Sequence, residues 1–143
     1  MSQENVEIVR RAFELGATEG LDALAERYWD ANIQYREDPR WPGASTYSGR
    51  EAVVQCFREY FEALGAEDAT KIGVERVVDA SERGVVAFIH FGGQAPSGLP
   101  HEHIWGYVVR VEAERIVYFR AYYEPAEALE AVGLSEQDAH ADS

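Results

Sequence analysis

Long apolar runs are missing from this chain of 143 residues. None approaches the ~20 residues of a spanning helix, which excludes a helical membrane protein. Cysteine is nearly missing too, and the single Cys56 cannot form an intrachain disulfide. At this length none is needed, because such a chain buries roughly 70% of the surface it exposes when unfolded. Basic residues are scarce: 13 Lys and Arg against 26 Asp and Glu leave a net charge of −13. A field of that sign repels phosphate backbones and anionic lipid surfaces, so no nucleic-acid or membrane partner is expected. The opening Met1-Ser2-Gln3-Glu4-Asn5 has neither the basic region nor the apolar core of a signal peptide, and a cytoplasmic location is the expectation. Neither an internal repeat nor a domain linker interrupts the chain.

What is present is a foldable pattern, because aromatic residues are spread through apolar periodic segments and so oppose acidic disorder. Val6, Val9 and Phe13 share one helical face between Ser2 and Thr18, and Leu21, Leu24 and Tyr28 mark a shorter second helix ending near Trp29-Asp30. Asn32 to Arg36 alternates as a half-buried strand, which Pro39 and Pro42 stop. A loop is expected to about Tyr47. Ser48-Gly49-Arg50-Glu51 reads as a capping box for a third helix, with Val53, Phe57, Tyr60, Phe61 and Leu64 as its inward stripe and Cys56 as core filler. After Gly65 the period changes to two. Four β-rich segments follow, near 71–80, 85–94, 101–111 and 115–123, set apart by Gly84, Ala95-Pro96-Ser97-Gly98 and Glu112-Ala113-Glu114. Pro125 and Gly133 bracket a short last helix. The order predicts an α+β fold with helices segregated from a curved, mostly antiparallel sheet that wraps the N-terminal helices.

The stretch Trp29-Asp30-Ala31-Asn32-Ile33 running into Glu37-Asp38-Pro39-Arg40-Trp41-Pro42, then Tyr47-Ser48-Gly49-Arg50-Glu51-Ala52-Val53, resembles the SnoaL-like branch of the NTF2-like superfamily. So does Arg120-Ala121-Tyr122-Tyr123-Glu124 with Ala128-Leu129-Glu130-Ala131. The resemblance runs from Asn5 to Leu134 and implies one domain over 1–134 with a polar tail over 135–143. It implies a cone-shaped α+β barrel enclosing an apolar pocket, commonly in a homodimer joined through the sheet's outer face. Relatives include polyketide cyclases, ketosteroid isomerases and limonene epoxide hydrolases, so the fold alone does not fix the reaction.

Asp38 has two readings. Apolar neighbours at the end of its strand would desolvate the carboxylate, raise its proton affinity and make it a base near neutral pH; alternatively it shapes an Asp-Pro turn. Its setting resembles the isomerase segment that bears the proton-shuttling aspartate. The isomerase's oxyanion tyrosine falls near Ala12, and its partner acid near Gly106 or Glu102. The hydrolase's two aspartates and arginine fall near His90, Ala121 and Phe88. His90 follows Val86 and Phe88 on one strand face and is either a pocket acid/base or a residue of the dimer face.

His101-Glu102-His103 places two imidazoles on one side of a strand, but a metal site needs further ligands, and no metal or other cofactor is expected. His101, His103, Trp105 and Tyr107 are assigned to the dimer face, and Glu102, Ile104, Gly106 and Val108 to the pocket. Phe119, Ala121 and Tyr123 are the pocket choice on the last strand, with Tyr35 and Trp41 at the cavity mouth; plain core packing is the other reading of these rings. The expected function is cofactor-independent cyclase- or isomerase-type acid/base chemistry on an apolar ligand such as a polycyclic or terpenoid one, with Asp38 as base and His90 or Glu102 as its partner. The alternative is a non-catalytic ligand-binding or dimerisation protein of the same fold.

Overall fold

Helix α1 (Ser2–Glu19) buries Val6, Val9, Ala12 and Phe13, the stripe its sequence period lays down, and turns into α2 (Leu21–Tyr28) at Gly20. The turn requires that glycine, whose φ is 101°. Strand β1 (Trp29–Arg36) begins directly where α2 ends, so Trp29 belongs to the strand. A short β2 (Thr46–Ser48) pairs with it, where a loop was expected. Helix α3 (Arg50–Ala63) is entered through Gly49 at φ 94°, so glycine rather than the Ser48 side chain occupies the position before its first residue. Strands β3 (Ile72–Asp79), β4 (Val85–Gln94), β5 (Pro100–Glu112) and β6 (Arg115–Tyr122) lie close to their expected limits, and α4 (Pro125–Ala131) closes the order. The computed structural model describes residues 2–41, 43–63, 72–94 and 100–135. Leu64, Gly65, the Ala95 to Gly98 connection and the tail after Ser135 lie outside the described residues.

The six strands form one open mixed sheet in the order β2-β1-β6-β5-β4-β3. Every neighbouring pair is antiparallel except β1 with β6, which runs parallel and brings Tyr35 beside Phe119 and Arg36 beside Arg120. Register shifts leave an extra residue or more in β1, β3 and β6, and such irregularities bend and twist strands.

Two apolar clusters lie on opposite faces of the sheet. The larger packs α1, α2 and α3 against Ile33, Tyr35, Val85, Ala87, Ile89, Phe91, Trp105, Tyr107, Val109, Phe119 and Ala121. The smaller sets Ala128, Leu129 and Val132 of α4 on Val78, Val86 and Val108. Period two therefore places odd-numbered residues of β4 and β5 inside and even-numbered ones outside. This corrects the expected orientation of β5. Trp105 and Tyr107 are buried in the interior and His103 shares their face, whereas Glu102, Ile104, Gly106 and Val108 belong to the outer face.

Candidate functional site

Rings nearly fill the interior. Tyr35 stacks on Phe119 at 4.4 Å and lies 5.1 Å from Phe57, while Tyr107 meets Phe13 and Phe119 at 5.8 Å. Among the described residues a cleft stays open between the end of β1, α3 and β5, lined by Tyr35, Glu37, Asp38, Trp41, Cys56, Phe57, Tyr60, Trp105 and Tyr107. Its free volume is about 20 Å³, room for little more than one water. Sharing Glu37, Trp41, Cys56 and Tyr60, a wider mouth of about 210 Å³ continues it towards Tyr47, Glu59 and Ala63.

Strand alternation brings Glu37 there. Ile33 and Tyr35 point inward, and Glu37 is the next residue on that face. Its carboxylate accepts the Cys56 thiol at 3.5 Å and the Ser45 backbone N–H at 3.1 Å, while its own N–H donates to the Ser45 carbonyl. The Tyr47 hydroxyl lies within hydrogen-bonding reach of both Cys56 and Glu37. Among the described residues no cation pairs with Glu37. Burial, and then the negative charge of Glu37, push the Cys56 thiol up to about 12. The same two influences, with Cys56 between them, push Tyr47 up to about 12. Deeper in, burial raises Tyr35 and Tyr107 well above the usual phenol range, and their hydroxyls bond to each other. Burial also lifts Tyr60 to about 12 against the opposing hydrogen bond from Trp105, whose Nε1–H donates to its hydroxyl at 2.7 Å. At neutral pH these phenols and the thiol are therefore neutral hydrogen-bonding groups.

Asp38 is only 3% exposed, and its carboxylate is fully engaged. Oδ1 accepts the Arg40 backbone N–H at 2.9 Å and Nε at 3.2 Å; Oδ2 accepts Arg40 Nη2 at 2.9 Å and the Tyr123 backbone N–H at 2.7 Å. Burial alone would raise its pKa, but the hydrogen bonds and charge of Arg40 and the amide of Tyr123 outweigh it and hold the group at about 2. The expected raised proton affinity is thus corrected in sign. Asp38 is the anchor of the loop after β1: its carbonyl accepts the Trp41 N–H at 2.9 Å, and Arg40 reaches on to Glu127 of α4.

The other two expected acid/base residues stand elsewhere. His90 and Glu102 lie on the outer face of the sheet, Nε2 and Oε1 3.4 Å apart, with their side chains 30% and 69% exposed. Neither lines the cleft or its mouth. Ile104 is exposed on that same outer side and also leaves the pocket set. Tyr35 and Trp41 line the cleft, and Phe119 and Ala121 are buried in the inner cluster behind it. Tyr123 stacks on His103 at 4.0 Å, and Trp105 meets its edge at 5.3 Å. Glu37, Cys56, Phe57, Tyr60, Trp105 and Tyr107 are the cleft residues that the sequence reading did not assign to the site. For Glu37 the signal was strand parity with Ile33 and Tyr35. Among the described residues no group of three or more His, Cys, Asp or Glu side chains is placed to hold a metal ion.

No family model matches the sequence. Solved structures do share its architecture. Bal32a, from a soil-derived mobile gene cassette, matches with a TM-score of 0.70 and 20% identity, covering 92% of this chain and 97% of that one. A candidate SnoaL-like polyketide cyclase from Jannaschia sp. CCS1 gives 0.70 and 17% over 92% and 93%. A hypothetical protein of ketosteroid isomerase-like fold from Catenulispora acidiphila, in complex with trimethylamine, gives 0.65 and 18% over 90% and 93%. The chain has the SnoaL-like, NTF2-like fold: an α+β cone-like arrangement of four α-helices and a six-stranded mixed sheet that does not close, among the described residues.

Proposed function

We propose that this chain takes a small, largely apolar ligand through the mouth beside Trp41 and carries out cofactor-independent proton transfer on it, of the isomerase or cyclase type, with Glu37 as base. The observation that carries this reading is the Glu37 carboxylate, uncompensated by a cation among the described residues, at the wall of an aromatic cleft. Such a group takes a proton from a carbon next to a carbonyl and returns it elsewhere on the same molecule, so the reaction balances with no co-reactant. The neutral hydroxyls of Tyr47 and Tyr60 are the hydrogen-bond donors nearest to hand for the oxygen on which charge develops. Asp38, held ionised by Arg40, serves by fixing Trp41. The expected homodimer belongs to the same reading, joined on the part of the outer face around Tyr118 that α4 leaves to β1 and β6.

Glu37→Gln tests the base. With a panel of cyclase and isomerase substrates, turnover should fall by about 10²-fold or more while ligand quenching of tryptophan fluorescence persists. Unchanged turnover would remove Glu37 from the chemistry. A second reading, binding without turnover, is favoured by the hydroxyl pair of Tyr35 and Tyr107 and by the Trp105 indole N–H donating to the Tyr60 hydroxyl, which leave the inner cleft already satisfied. A co-purified ligand in native mass spectra, with no product after long incubation, would select it.

A further inference from the structure

We infer that the mouth of the cleft selects organic cations: its ligand bears a compact ammonium group, seated there against Trp41 and Tyr60 with Glu37 as counter-charge. This deepens the reading of the cleft as a ligand site and does not depend on turnover.

The three rings are mutually near-perpendicular. Trp41 meets Tyr60 at 5.5 Å and 69°, Trp41 meets Trp105 at 5.6 Å and 67°, and Tyr60 meets Trp105 at 6.0 Å and 85°. Rings so disposed wall a corner instead of forming a stack; Trp41 and Tyr60 line the mouth, and Trp105 backs them from the narrower cleft behind. Ring faces carry the negative end of the aromatic quadrupole and attract an ammonium group that several of them surround. Their orientations are fixed before any ligand arrives. Trp105 is tied to the Tyr60 hydroxyl through Nε1, and Trp41 is tied through its backbone to Asp38, itself held by Arg40 and by the amide of Tyr123. A preformed site of this kind loses little freedom on binding.

Charge discriminates in the same direction. Glu37 lies in the cleft and the mouth, and Glu59 lies in the mouth. Arg40, the guanidinium of the loop that carries Trp41, is engaged by Asp38 and by Glu127. The net charge of −13 adds a field that draws cations and repels anions. A carboxylate or phosphate ligand would meet ring faces and carboxylates of its own sign. A neutral alkyl group would gain contact area but neither of the two attractions. The mouth, at about 210 Å³, accommodates a trimethylammonium head, and the narrower cleft behind it does not admit a polycyclic body.

The probes are choline, benzyltrimethylammonium and the neutral isostere 3,3-dimethyl-1-butanol, titrated against the intact chain with tryptophan fluorescence and calorimetry. Both cations should bind about tenfold or more tightly than the isostere. Trp41→Leu and Glu37→Gln should each weaken cation binding severalfold and leave the isostere unaffected. Thermal melting establishes that each variant folds; Glu37→Gln, at a partly exposed side chain, keeps the test open should Trp41→Leu fail to do so. Equal affinity for the isostere, or cation binding indifferent to both Trp41→Leu and Glu37→Gln, would overturn the inference while leaving the cleft as a ligand site. Failure of the cations, the isostere and the cyclase and isomerase panel alike to bind would overturn both this inference and the ligand-site reading beneath it.

Discussion

At the scale of single residues, Asp38 and Glu37 are adjacent carboxylates given different work by their surroundings. Asp38 meets a guanidinium and two backbone amides, and Glu37 meets a thiol, a phenol and one amide. For Asp38 the consequence is a pH-dependent stability. Its folded pKa, about 2, is below the ordinary 3.8, so the stabilisation is fully present above pH 3.8 and is lost as pH falls through about 2. The shift corresponds to about 2 kcal/mol. Urea titrations from pH 6 to pH 2 should show a loss of that order on acidification, and in Asp38→Asn most of the difference between the two ends should vanish. A variant that keeps the full acid sensitivity would show that the loss originates elsewhere. Aspartate before proline pointed to a turn, which is the reading the hydrogen bonds support. The sequence could not reveal that the neutralising arginine is two residues away in space as well as in order, because a loop sets that distance and periodicity does not describe loops.

At the scale of elements, β5 is where α4 matters most. Gly106 allows the close approach: a Cβ there would come within 2.9 Å of both the Ala128 Cβ and the Pro125 Cα. Gly106→Val should therefore force α4 away from the sheet and cost about 1–3 kcal/mol, read as a lowered urea midpoint. Its amide exchange should rise selectively in residues 125–131. A midpoint within error of the parent would mean that the helix shifts without penalty. The same packing explains which parts of β5 were legible. Strand limits and the sharing of a face by Trp105 and Tyr107 follow from period two, but the identity of the inner face does not, because α4 makes the outer face apolar as well. Ring size was the available clue: Trp105 and Tyr107 outweigh Gly106 and Val108, and bulky rings dominate cores. For β6 the expected inner set was Phe119, Ala121 and Tyr123; the first two lie in the inner cluster, whereas Tyr123 lies past the end of the strand and is exposed.

At the scale of the whole molecule, assembly and charge act together. A homodimer would carry 2 × (−13) = −26, so salt should strengthen it by screening repulsion outside the interface. Light scattering should give about twice the 16.0 kDa chain mass, with the dimer fraction rising between low salt and physiological ionic strength. A mass of one chain at every salt concentration would remove the dimer from the proposal.

The parallel seam between β1 and β6 joins residues 29–36 to residues 115–122, between the second and third strands of the sheet. Such a contact closes a long loop before it returns any energy, and folds dominated by distant pairings are slow to form. On the ribosome, Trp29, Ile33 and Tyr35 emerge long before their partner strand exists. The nascent chain therefore carries a greasy, half-matched edge for most of its synthesis, and its yield in the cell depends on keeping that edge from neighbouring chains until the last strand arrives.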